Sequence, residues 1–157
     1  MKNLRYTKLK KSNYINSYIA SEPMEYEFHL LYLLLTIENI DINHWSNFCK
    51  TSSISCWSTS QIFINKKNGS IEIFDIYDLA NKEELCLPKS PKFVVSTANF
   101  LQFMTSWSEL QKENPQDVII AIDEIGYAYL TTDIRLIEKT SFLGSIKKSI
   151  SGLFASK

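Results

Sequence analysis

Glycine and proline are scarce in this chain, at four residues each in 157. That scarcity argues against long flexible linkers and leaves little room for a glycine-rich phosphate cradle or a dinucleotide fingerprint. Cysteine is also sparse: Cys49, Cys56 and Cys86 form an odd set without a C-x-x-C pair. A disulfide scaffold or a zinc ribbon would need a different count and spacing, so these residues read as reduced thiols of a cytoplasmic protein. Histidine is limited to His29 and His44, and neither stands at metal-ligand spacing from the other or from a cysteine. The densest apolar run, Leu30 to Leu35, is far shorter than the ~20 residues that span a bilayer. Bases near the N-terminus have no apolar run directly behind them, so a secretory signal is not expected. G-x-S-x-G is missing as well. No catalytic set, no metal and no cofactor is expected.

What is present is ordinary in amount and unusual in arrangement. Apolar residues make up 45%, charged residues 22% and aromatics 13% of the chain, the balance of a single globular domain spanning 1–157. A chain of this size buries about two thirds of its unfolded surface and needs no disulfide or metal to fold. Net charge is zero, but it is sorted by position. Residues 1–11 carry +5, residues 135–157 carry +4, and residues 12–134, with seven bases and sixteen acids, carry −9. An acidic body with basic ends suits a basic partner and disfavours a polyanion such as nucleic acid.

Periodicity and punctuation predict an α+β fold, with helices packed on one face of a mixed or mainly antiparallel sheet. Residues 1–12 read as a basic extended arm or a first edge strand, and residues 13–20 as the possible opening of a short helix. Ser21-Glu22-Pro23 signals a helix start, and Tyr26, Leu30, Leu33, Leu34 and Ile37 carry that helix to about Asn39. A further turn of helix is expected around Trp45 and Phe48. Gln61–Ile64 and Ile71–Tyr77 form a hairpin across Asn68-Gly69, with Ile71, Ile73 and Asp75 on one side. Residues 78–91 read as an acidic loop. Phe93–Ser96 is a strand, Ser96 or Thr97 caps a helix ending at Asn114-Pro115, and Asp117–Asp123 is a buried strand turning through Ile125-Gly126 into Tyr127–Thr131. An apolar stripe with off-stripe lysines marks an amphipathic helix at about 134–154. His44-Trp45-Ser46 and Ser106-Trp107-Ser108 echo one another weakly.

Two acidic groups are candidates for binding. The first is the loop with Asp75, Asp78, Glu83 and Glu84, with Tyr77 as an aromatic anchor beside it. The second is Asp123-Glu124 at a strand end, read as partner contacts because no histidine or lysine can be assigned to them as a catalytic partner. Both also admit the plainer reading of solvated or turn carboxylates.

From Ser52 to Thr131, the hairpin, the acidic loop, the capped helix carrying Trp107 and the strand Val118–Glu124 resemble the contact-dependent growth inhibition immunity proteins of bacterial polymorphic toxin systems. The resemblance lies in architecture, and the basic tail departs from it. It implies a cytoplasmic, non-enzymatic protein that neutralises a cognate toxin domain, such as a nuclease with a basic groove, by covering its active site. The alternative is a peripheral membrane or assembly protein that uses the C-terminal amphipathic helix.

Overall fold

Leu9 is the only fully buried residue of the N-terminal strand, yet that strand lies in the interior of a sheet. The computed structural model describes residues 4–14, 17–51, 53–80 and 90–137. Within them, β1 (Arg5–Lys11) pairs antiparallel with β2 (Tyr18–Ala20) on one side and with β7 (Asp117–Ile122) on the other. β8 (Ala128–Thr131) completes the order β2-β1-β7-β8. The basic segment is therefore neither an arm nor an edge, and residues 18–20 form a strand where a helix was expected. Alternation explains why the signal was faint: Arg5, Thr7 and Leu9 share one face, and the other carries Tyr6, Lys8 and Lys10.

The second sheet is an antiparallel meander, β3-β4-β5-β6, comprising Cys56–Ser58, Ile62–Lys67, Ser70–Asp75 and Phe93–Ser96. Its central hairpin turns at Gly69, whose φ of +74° a side chain would strain. The expected α+β architecture is thus present, with its antiparallel strands divided between two sheets.

One core joins the two sheets. Leu9, Val118, Ile120 and Ile122 face it from the first sheet, and Ile62, Ile64, Ile71 and Ile73 from the second. Helix α1 (Tyr26–Leu34) touches strands of both sheets, which is why Phe28, Leu30, Leu31, Leu33 and Leu34 are all buried. Besides Glu27, only a narrow stripe, Tyr26, His29 and Tyr32, keeps access to solvent. α1 starts later and ends earlier than expected. Its N-cap is Glu25, whose carboxylate bonds Arg5 in place of the helix end. Past its C-terminus the chain turns away, with Asn39 at φ +52°.

α2 (Ile42–Lys50) is capped by Asp41, which accepts from the Asn43 and His44 amides. It brings Trp45 against Trp57 and Phe100, with ring centroids 4.8 and 5.4 Å apart. α3 (Ile76–Ala80) follows β5 directly. α4 (Thr97–Glu113) is capped by Ser96, as its sequence predicts, and ends on Asn114 in the left-handed region. It buries Phe100, Phe103, Met104, Trp107 and Leu110. The two echoing Trp-Ser segments thus supply a buried core tryptophan each, on α2 and α4. Asn99 of α4 exchanges two 2.8 Å hydrogen bonds with the backbone of Ala128, closing the edge of β8.

On its other face the first sheet carries a small second cluster. Ile119 and Ala121 pack with Leu4, Ile134 and Ile137. Residues 134–137 are helical, and the rest of the expected C-terminal helix lies outside the described residues. No helix among the described residues is long and apolar enough to cross a membrane.

Candidate functional site: an acidic face at the start of helix α1

The period-2 alternation of β5 that sends Ile71 and Ile73 into the core also turns Asp75 toward α1. There its Oδ2 lies 2.9 Å from His29 Nε2. Its Oδ1 accepts from the Tyr77 amide at 2.9 Å and so fixes the entry into α3. One helical turn before His29, the Tyr26 hydroxyl donates to Asp78 Oδ2. Burial, together with the negative charge of Asp78 and Asp75, pushes the Tyr26 hydroxyl far above the ordinary phenol range. Tyr26 therefore stays a neutral donor to Asp78. Tyr77 stands beside this group with 66% of its surface exposed.

Glu25 and Glu27 extend the face and are both held by the Arg5 guanidinium. Glu22 lies exposed just ahead of them. Glu22, Glu25, Glu27, Asp75 and Asp78 thus set five carboxylates against Arg5 and the His29 imidazole. Among the described residues, neither Glu22 nor Asp78 has a basic partner. The carboxylates at the start of α1 also complement the positive end of the helix, so the charge is compatible with the fold that carries it.

His29 oriented by Asp75 resembles the base half of a hydrolytic triad. However, Asp75 occupies Nε2, and no serine, threonine or cysteine among the described residues hydrogen-bonds the ring. Burial pushes the Cys49 thiol up despite nearby Lys66 and Lys50, the opposite of what activates a thiol nucleophile. Among the described residues, no group of three His, Cys, Asp or Glu side chains could hold a metal ion. What the arrangement offers is charge, hydrogen-bond acceptors and an exposed aromatic ring.

The structure brings Asp75, Tyr77 and Asp78 together. Asp78 lies in α3 where a loop was expected, and Glu83 and Glu84 fall outside the described residues. Asp123 and Glu124 form no hydrogen bond or ion pair with the Asp75–Asp78 group, and Asp123 serves the turn that holds it. It is 4% exposed, and its Oδ1 accepts from the Ile125 and Tyr127 amides at 3.0 and 2.9 Å. Tyr129 donates to its Oδ2 at 3.3 Å, and Gly126 takes a φ of +83° beside it. Glu124 and Ile125 remain exposed at the tip. Asp123→Ala leaves two amide donors unpaired and is expected to cost about 2 kcal/mol. Asp123→Asn, which keeps the accepting oxygen, is expected to restore most of that loss in a urea titration.

The sequence assigns no site role to Arg5, Glu25, Tyr26, Glu27 or His29. The i, i+3 spacing of Tyr26 and His29 on a leucine-rich helix was the available signal, because polar residues on one stripe of an otherwise buried helix must face outward or meet a partner. No known protein family, curated protein or solved structure matches this chain.

Proposed function

We propose that this chain is a non-enzymatic inhibitor that binds a cognate, basic toxin domain, and that the face built from Glu22, Glu25, Glu27, Asp75 and Asp78 is where it docks. The observation that carries this reading is the convergence of carboxylates from α1, β5 and α3 on one surface, next to exposed Tyr77. Such a face accelerates encounter with a cationic partner and fixes its orientation. An aromatic ring beside it supplies the anchor on which affinity rests. For a nuclease toxin, carboxylates take the places that substrate phosphates would occupy.

The test is protection in cells. The chain is co-expressed with the C-terminal domain of a large secreted protein encoded beside it. Restored growth, together with a complex of the two chains on gel filtration, is the expected result. Continued toxicity with both proteins expressed and soluble contradicts the reading.

A further inference from the structure

A second feature lies along the same stripe of α1. A cavity of about 490 Å³ opens at the far end of the helix, lined among others by Tyr18, Tyr32, Glu38, Gln61, Trp107 and Gln111. That volume falls within the ~300–1,000 Å³ range of ligand pockets. Gln61 ties it to the acidic face, because its carbonyl accepts from the Ile76 amide at the start of α3 at 3.1 Å. Cavity and acidic face are therefore neighbouring parts of one surface.

Its walls are aromatic and fixed. The Tyr18 hydroxyl donates to the Pro115 carbonyl and the Tyr32 hydroxyl to the Tyr18 carbonyl, both at 2.6 Å. Tyr18 meets Trp107 edge-on with centroids 5.8 Å apart. The Trp107 indole and the Gln111 amide both donate to the Ile37 carbonyl, at 3.3 and 2.9 Å. With these protons spent inside the fold, the phenol oxygens offer acceptors toward the cavity beside the Glu38 carboxylate, while Ser17, Asn39, Gln61, Gln111 and Asn114 offer both donors and acceptors. Glu38 is the charged residue of the lining. Lys11 stands at the edge, where its ammonium donates to Asn114 Oδ1. Asn39 and Asn114, the non-glycine residues with positive φ among those described, both line the cavity.

A planar, donor-rich cation fits such a chamber, since guanidinium stacks on aromatic faces and presents five N–H donors. We infer that this cavity receives an arginine side chain of the protein partner. The inference rests on the proposed toxin-binding role and makes the cavity the anchor beside the acidic steering face.

The test uses the full-length chain and no toxin. Acetyl-arginine amide, acetyl-lysine amide and acetyl-citrulline amide are titrated while the Trp107 indole and Gln111 side-chain amide resonances are followed by NMR. Saturable shifts are expected with the arginine compound, bound at least about tenfold more tightly than the other two. Glu38→Gln is expected to weaken it about tenfold, and Lys11→Gln to tighten it about twofold. Equal responses to all three compounds, or an unchanged arginine affinity in Glu38→Gln, overturn the assignment. Growth protection that persists in that case would leave the toxin-binding reading standing and remove the cavity from it.

Discussion

Glu72→Ala is expected to destabilise the fold by about 2–4 kcal/mol, lowering the melting temperature by roughly 5–15 °C. Glu72 lies mid-strand in β5 with its side chain 3% exposed, and it binds Lys92 and Lys67, the latter at 3.1 Å. Asn65 on β4 donates to the same carboxylate at 2.9 Å. Removing it takes the partner from the Asn65 amide and from Lys92, whose side chain is 25% exposed, and unpaired buried donors are costlier than the net worth of the bonds they lose. The pH dependence follows from the same contacts. Burial alone would raise the Glu72 pKa, but hydrogen bonds from Lys92, Asn65 and Lys67 outweigh it and hold the carboxyl below its ordinary value of 4.5. A group whose folded pKa is depressed stabilises above its unfolded value and loses that contribution as pH falls through the folded one. The wild-type protein should therefore lose this contribution below about pH 4.5, and Glu72→Gln should flatten that part of the profile in thermal melts.

Reversing charge on the acidic face is expected to slow association with the toxin about 10- to 100-fold at low ionic strength. Glu22→Lys combined with Asp78→Lys is the informative variant, because among the described residues neither forms an ion pair that holds the fold. Glu25 and Glu27 are less suitable, since reversing either sets a cation against Arg5. The Asp78 change also removes the Tyr26 contact, so Asp78→Asn separates hydrogen bonding from charge. In stopped-flow measurements the double reversal should act mainly on the association rate, while Tyr77→Ala should act mainly on dissociation, as loss of an anchor does.

Local signals in the sequence were strong where one residue type has one physical use. A cap at Ser96 or Thr97, a turn at Asn68-Gly69 and a helix end at Asn114-Pro115 all appear, with Ser96 as the cap and Asn114 in the left-handed region. The alternation of Ile71, Ile73 and Asp75 also holds, and it aims Asp75 at His29. Other features depend on partners distant in sequence. β1 reads as an extended arm or an edge strand because an interior strand needs few apolar residues when one face is basic and the other holds a single leucine. Asp78 reads as loop because Asp75 caps a helix too short to show periodicity. Counting charge in the −9 segment does not separate free carboxylates from committed ones: Glu72, Asp41 and Asp123 serve the fold and Asp133 meets Arg135. The cavity joins residues from position 17 to 114, and no window of sequence places Tyr18, Glu38 and Trp107 together.

The central claim is that carboxylates at the start of α1 draw in a cationic protein. The measurement that tests it most directly is the association rate of the wild-type chain with its toxin across a salt series, repeated with Glu22→Lys/Asp78→Lys. A wild-type rate that falls steeply as salt rises from about 0.01 to 0.5 M, and a variant whose rate is slower and nearly flat, are predicted. Identical salt slopes for the two proteins would contradict the account.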